Sequence, residues 1–375
     1  MLRNFIDRIK PNFEKGGKWG FLHSTFEAFE TFLFVPNEVT RKGSHVRDAM
    51  DMKRTMIVVV LALIPCLLFG TYNVGRMHFD ALGEAAGFWR MFGFGALKVL
   101  PMLVVSYVVG LGIEFIFAQV RGHQVNEGFL VSGLLIPMIC PPDVPLWMLA
   151  VATAFAVLIG KEVFGGTGMN IWNPALLARA FLFFAYPSQM SGDSVWVADA
   201  VSGPTALSMF ASGNMASVPS TSDLYWGFVP GSVGETSAFC ILLGAFILLW
   251  TGIGSFRIMF SVLIGGALMV WTARLTGATD ATIAQHLLSG GFLFGMVFMA
   301  TDPVTSAQTR CGKLIYGFLL GVMAMLIRIC NPAYPEGMML AILLMNTFAP
   351  LIDYGVVNQN IRRRRKRQLK AEVAR

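Results

Sequence analysis

Apolar residues occur along this chain in long blocks separated by short polar breaks. Ten blocks stand out, near residues 55–75, 97–119, 128–141, 146–160, 172–187, 237–253, 257–274, 286–301, 314–330 and 337–354. Most match the span of about 30 Å of hydrocarbon, and the shorter ones match half of it as a broken helix. The pattern predicts an all-α integral membrane protein with about ten transmembrane helices, of which the third and eighth are short and read as broken. Five regions follow: an N-terminal segment 1–54, a first group of five helices 55–187, a polar loop 188–236, a second group of five 237–354, and a basic tail 355–375.

Composition agrees with the pattern. Apolar residues make up 55% of the chain and charged ones 14%, against about 25% charged in a typical soluble domain. The first fifty residues lack a short apolar core followed by a small-residue cleavage site, so the first apolar block is expected to serve as its own insertion signal. The five cysteines and five histidines are scattered, without a Cys-x-x-Cys or metal-ligand spacing. No metal site built from them is expected.

Basic residues set the expected orientation. Ten lysines and arginines precede residue 55 and eight follow residue 361, while 188–236 contains none. The positive-inside rule then places both termini in the cytoplasm of a bacterial inner membrane and 188–236 on the periplasmic side. The run Arg362–Arg367 directly follows a membrane helix, where such runs fix topology and touch anionic lipid; it is not read as binding nucleic acid.

The chain also repeats itself in order. Gly128-Phe129-Leu130 returns as Gly291-Phe292-Leu293, Asp143 is echoed by Asp302, and Asn173-Pro174-Ala175 returns as Asn331-Pro332-Ala333. The offset is about 160 residues each time, and five helices per unit force the second unit upside down. Inverted repeats of this kind place the working site at their interface.

Four features could carry chemistry. The loop Asp199–Ser208 is polar and small, so the Thr205 hydroxyl is accessible, although taken alone this is only an exposed turn. The turn Lys161–Asn170, followed by Asn173-Pro174, is glycine-rich and opens a helix; close helix packing is the plainer reading than phosphate binding. Ionisable groups at or near membrane depth mark an ion path or cofactor contact by default: Glu114, Arg179, Asp302, Glu336 and Asp353. Leu22, Phe26, Phe29 and Leu33 follow helical spacing and form an apolar, largely aromatic strip.

The strings SHVRDAMDMKR (44–54), VNEGFLVSGLL (125–135), GKEVFGGTGMNIWNPALLARAFLFFAYP (160–187), GGFLFGMVFMATDPV (290–304) and RICNPAYPEGMMLAILLMNTFAPLID (328–353) carry a resemblance across nearly the whole chain. It resembles the B subunits of the sodium-translocating NADH:quinone oxidoreductases, relatives of the Rnf complex D subunit. The resemblance implies a flavinylation motif in which a flavin transferase joins FMN to Thr205, with Ser202 and Gly203 beside it; Pro204 stands where the motif has alanine. It also implies a non-covalent riboflavin held with the help of Asn170 and Asn173, and Arg179 is taken with the cofactor contacts. Sodium handling would involve Glu27, Glu114, Asp302 and Asp353, with Glu336 added from its place near the membrane. Quinone would bind near the aromatic strip, and the partners would be the A, C, D, E and F subunits. The expected activity is an electron relay from FMN to riboflavin to quinone, coupled to outward sodium transport, with NADH bound elsewhere. Two rival readings are an Rnf-type D subunit, which generally lacks the long N-terminal segment with His45, Arg47 and Asp48, and a non-redox inverted-repeat ion transporter, which needs no flavinylated threonine.

Overall fold

The structure is a computed structural model. It describes residues 2–13, 52–122, 128–190, 195–198, 204–213, 217–331 and 336–373, with isolated positions between 17 and 44. Among the described residues the secondary structure is helical throughout. After α1 (Leu2–Phe13) come α2 (Met52–Leu82), α3 (Phe88–Arg121), α4 (Phe129–Met138) and α5 (Leu146–Val157), which continues as a π-helical turn, Leu158–Glu162. Then follow α6 (Pro174–Ala185), α7 (Pro187–Met190), α8 (Ala206–Ala211), α9 (Thr221–Trp226), α10 (Ala238–Trp250) and α11 (Phe256–Leu275). The last are α12 (Ile283–Leu288), α13 (Phe292–Phe294) with a π-helical turn Gly295–Met299, α14 (Arg310–Cys330) and α15 (Met338–Val373).

Each of the ten apolar blocks is helical over most of its length. Among the described residues, five helices are long and apolar enough to cross a membrane: Arg54–Leu82, Phe88–Arg121, Phe256–Leu275, Arg310–Cys330 and Met338–Lys370. The third block is the ten-residue α4. The eighth breaks at Ser289–Gly291 between α12 and α13. The hydrophobic pattern underestimates α2 and α3, which run to 31 and 34 residues: α2 continues past residue 75 to Leu82, and α3 starts at Phe88, nine residues before its block. It also misses α1, whose sequence is too polar to register as an apolar block.

A stripe on α3 shows how these helices meet their surroundings. Leu97, Leu100, Val104, Val108, Ile116 and Val120 recur at helical spacing and all are exposed. A continuous apolar stripe of this length on a long helix is a face for lipid. The opposite face buries Val99, Met102, Ser106, Gly110 and Glu114.

The core is built from close helix pairs. α2 packs on α3 and α10, α3 on α4 and α5, α5 on α6, α11 on α14, and α14 on α15. The α11–α14 contact depends on small residues. A Cβ on Gly265 would lie 2.2 Å from the Phe318 carbonyl oxygen, and one on Gly321 would lie 2.2 Å from that of Val262. Between apolar helices in lipid, such backbone approach replaces the hydrophobic drive that water provides. Gly321→Leu is therefore expected to push α14 off α11 and lower the unfolding midpoint in detergent, whereas Gly112→Leu, where a Cβ meets nothing within 4 Å, should leave it unchanged. Equal midpoints for the two variants would contradict this packing account.

Candidate functional site

Two clefts open between the helices; Asn170, Asn173 and Asp302 line one, and Thr205, Arg179 and Glu336 line the other. The first has a volume of about 800 Å3 and is lined by Thr55 at the start of α2, by Ser132, Lys161, Thr167, Asn170 and Asn173, and by Asp302. Met56, Val59, Leu135 and Phe298 form its apolar walls. A mostly apolar cleft with a few convergent polar groups is the usual form of a small-molecule site.

The backbone explains the polar edge. After the π-helical turn, Gly165, Gly166 and Gly168 take φ of +119°, +97° and +91°, a region closed to side chains larger than hydrogen at ordinary cost. The turn returns the chain so that Asn173 caps α6, its Oδ1 accepting from the Ala175 N–H at 3.0 Å, with Pro174 at the first helical position. The Asn173 amide then donates to Asp302 at 3.4 Å. Asp302 also accepts from the Val304 N–H at 3.0 Å and the Thr305 hydroxyl at 3.2 Å. Asn170 donates to the Trp172 carbonyl at 3.0 Å. One amide hydrogen on each asparagine is directed to these partners, leaving donor and acceptor capacity for a ring edge.

Lys161 lies on the π-helical turn and forms a buried ion pair with Glu114 of α3, both side chains about 5% exposed. The ammonium lies 5.9 Å from the centroid of the Phe129 ring. Sequence reasoning singled out Glu114 but not its partner. The signal was present: a buried carboxylate needs a cation, and Lys161 is at the inner end of the neighbouring block. Arg121 likewise closes on Glu162, at 3.4 Å to the carboxylate and 2.9 Å to the backbone carbonyl.

The second cleft, of about 810 Å3, is lined by Thr205, Leu207, Leu224, Val229, Ser232, Glu235 and Thr236, together with Arg179, Gly291 and Glu336. Thr205 caps α8, its hydroxyl oxygen accepting from the Ser208 N–H at 3.3 Å. Ser202 and Gly203 lie outside the described residues, as do Glu27 and most of the aromatic strip. At the floor of this cleft Arg179 donates to Glu235 at 2.7 Å, to Glu336 at 2.6 Å and to the Ser232 hydroxyl at 3.4 Å. One guanidinium therefore bridges two carboxylates. Burial pushes the Glu235 carboxyl up, to about 7, with Arg179 pulling it back and Glu336 adding to the rise. Behind Glu336, Arg328 donates to its backbone carbonyl at 3.3 and 3.4 Å and to the carbonyls of His286 and Ser289. Glu235, Ser232 and Arg328 were not anticipated from sequence. The Thr236 hydroxyl, buried in the cleft wall, has no hydrogen-bond partner among the described residues; a ligand polar group there would satisfy it.

α6 borders both clefts. Asn173 borders the first and Arg179 the second, six residues apart on α6, which is ~9 Å along its axis. Their outer rims are further apart. Thr55 borders the first, and Asn73, eighteen residues or ~27 Å along α2, donates to the Val229 carbonyl on the second at 3.0 Å. Asp353 belongs to neither cleft. It accepts from the Gln308 and Thr309 N–H groups at 2.6 and 3.0 Å and from the Thr309 hydroxyl at 2.6 Å, tying α15 to the start of α14.

Similarity to known proteins extends over almost the whole chain. Residues 39–362 match the model of the NQR2, RnfD, RnfE family. The chain is 47% identical to the B subunit of the Na(+)-translocating NADH-quinone reductase of Chromohalobacter salexigens, with 98% of this chain and 96% of that one covered. It is 46% identical to the protein of the same description from Pseudomonas aeruginosa PAO1, covering 97% and 98%, and 45% identical to that of Azotobacter vinelandii, covering 98% and 100%.

Proposed function

The chain belongs to the NQR2, RnfD, RnfE family, and from that membership and its two clefts we propose that it is a membrane subunit of a sodium-translocating NADH–quinone reductase. The similarity of nearly the full length to the B subunits of that enzyme, rather than to any part of them, carries the reading. It relays electrons from one face of the bilayer to the other, and the complex as a whole moves sodium outward. In the same reading the A, C, D, E and F subunits supply NADH oxidation and the rest of the path.

In this proposal the second cleft is periplasmic and the first is cytoplasmic, following the basic residues around Arg54, Arg121, Arg257, Arg310 and Arg362. FMN attached by a flavin transferase to Thr205, and riboflavin in the first cleft, would supply one- and two-electron carriers. The residues suit such groups. Thr205 lines the second cleft, and Thr236 offers an unsatisfied hydroxyl within it. Asn170 and Asn173 present amides, which match a ring edge that both donates and accepts. α6, which borders both clefts, keeps them close. Quinone would then take electrons at the cytoplasmic face, near the N-terminal segment, and Glu114, Asp302, Glu336 and Glu27 would lie along or beside the sodium path.

Helix pairing supports two inverted five-helix units, α2–α6 and α10–α15, with α12 and α13 counted as the two halves of one broken helix. The contacts α3–α5 and α5–α6 are matched by α11–α14 and α14–α15, and α2–α4 by α10–α13. α4 begins at Gly128 on the first cleft, and α13 begins after Gly291 on the second, as inversion requires. The match is imperfect, since α2 and α3 pack along each other while α10 and α11 hardly touch.

Mass spectrometry of the denatured chain, made together with a flavin transferase, tests the proposal. An FMN-sized addition is expected on the Thr205 peptide and is expected to vanish in Thr205→Ala. An unmodified Thr205, with the transferase shown active on another substrate, would turn the reading towards the non-redox transporter.

A further inference from the structure

The last helix does not stop where the membrane does. Asp353 is held at the level where α14 begins, next to Arg310, and the charged starts of α2 and α11 mark the same kind of boundary at Arg54 and Arg257. Beyond that level α15 continues to Val373 without a break. From Asp353 to Lys370 is seventeen residues, or ~26 Å along the axis. A helix tilted by 40°, the upper end of the usual range, still projects ~20 Å. The headgroup layer on one side of a bilayer is only about 5–7 Å deep. Arg362 and Arg363 can reach back to headgroups with their long side chains, but Arg367 and Lys370 stand well clear of them.

The projecting part cannot instead lie flat in the interface. Arg362 to Arg367 are six consecutive basic residues, all exposed, and at 100° per residue they go round the whole helix. An interfacial helix needs an uninterrupted apolar face. What α15 offers is narrower: Val357, Ile361 and Leu369 fall on one side at intervals of four and eight, exposed by 44%, 56% and 52%, with Arg365 between them. A narrow apolar seam flanked by dense positive charge is the pattern of a helix that docks against protein.

We propose that residues 357–370 of α15 form a docking strut for an acidic protein surface on the side of the membrane where both termini lie, its apolar seam taking Val357, Ile361 and Leu369 and its carboxylates meeting Arg362–Lys370. The occupant is another subunit of the same assembly, an identity that rests on the proposed function. Charge complementarity of this density sets encounter and register, and the seam supplies the short-range attraction. The strut is sensitive to salt, because its charges face solvent until docked.

The test keeps the complex whole. A photo-crosslinking p-benzoylphenylalanine replaces Gln368 in the full chain, membranes are irradiated, and the complex is purified through a tag on this chain. The expected product is a crosslink to an Asp/Glu-rich peptide of a subunit present in stoichiometric amount. It should be lost in the Ile361→Glu, Leu369→Glu variant and in the variant with Arg364, Arg365, Lys366 and Arg367 all changed to Gln. Both variants should also release that subunit at several-fold lower salt, while retaining the FMN-sized addition on Thr205. Crosslinks confined to lipid, crosslinks to this chain's own N-terminal segment, or none at all would overturn the strut. If the Thr205 addition is present in such a negative result, only the strut is lost; if it is absent too, the parent reading fails with it.

Discussion

Replacing Arg179 with leucine is expected to destabilise the bundle by about 3–5 kcal/mol, the cost of removing one partner from a buried ionic cluster. Arg179 is about 5% exposed, and it neutralises both Glu235 and Glu336 on the floor of the second cleft. Without it two carboxylates share a site of low dielectric. Arg179→Lys should recover only part of the loss, because a point charge cannot hold two carboxylates and Ser232 in the geometry of a planar fork. Arg179→Leu combined with Glu235→Gln and Glu336→Gln should recover more, since the unpaired charges go as well. The pH dependence has a definite sign. The Glu235 carboxyl is already raised to about 7 in the folded chain, above its ordinary value, so protonation favours the folded state. Removing Arg179 raises it further, and the deficit of the single variant should shrink as pH falls from about 8 towards 5. Thermal unfolding in detergent across that range reads all three variants. A single variant as stable as the native chain at pH 8 would show that the cluster contributes nothing.

The apolar helices were legible in the sequence because lipid leaves little choice: a spanning segment must be apolar for its whole length and must satisfy its own backbone. Helix ends were less legible. Nothing lipidic constrains them once they pass the headgroups, which is why α2 runs on to Leu82, and α15 to Val373 where the sequence suggested a separate tail. Thr205 and Asn173 could be named as candidates only through the family resemblance; taken alone, the Thr205 loop reads as an exposed turn and the turn before Asn173 as close helix packing. The partners of the buried charged candidates were hidden. Arg179 and Glu235 are 56 residues apart and Lys161 and Glu114 are 47 apart, so neither pair has a local signature; only the cost of burying a lone charge said that a partner had to exist. Asp353, expected from its depth to be an ion-path group, has its oxygens engaged by Gln308 and Thr309 at the start of α14, a tie that a carboxylate near a helix N-terminus can make and that no local sequence signature announced.

Lys161 and Glu114 give the sharpest test of whether the first cleft and the sodium path are one device. Lys161→Met leaves Glu114 buried beside Phe129 without its ammonium, and is expected to cost about 3–5 kcal/mol by the same logic as the arginine cluster. Glu114→Gln is expected to cost less, because the amide keeps its shape and can still accept from Lys161. If the two side chains act as a unit, the double variant Lys161→Met, Glu114→Gln should be more stable than Lys161→Met alone, because the uncompensated carboxylate goes with its partner, with an interaction energy of about 1–3 kcal/mol. Function adds a second reading of the same set. A carboxylate already held by an internal ammonium binds sodium only by exchanging that partner, so Glu114→Gln and Lys161→Met should both shift the sodium concentration for half-maximal turnover. Riboflavin content measured on the same preparations separates this from a cleft that has simply collapsed, since Lys161 lines that cleft and Glu114 is among the residues behind it. Full riboflavin with sodium dependence unchanged in Glu114→Gln would remove Glu114 from the ion path and leave the pair a purely structural clamp between α3 and the π-helical turn.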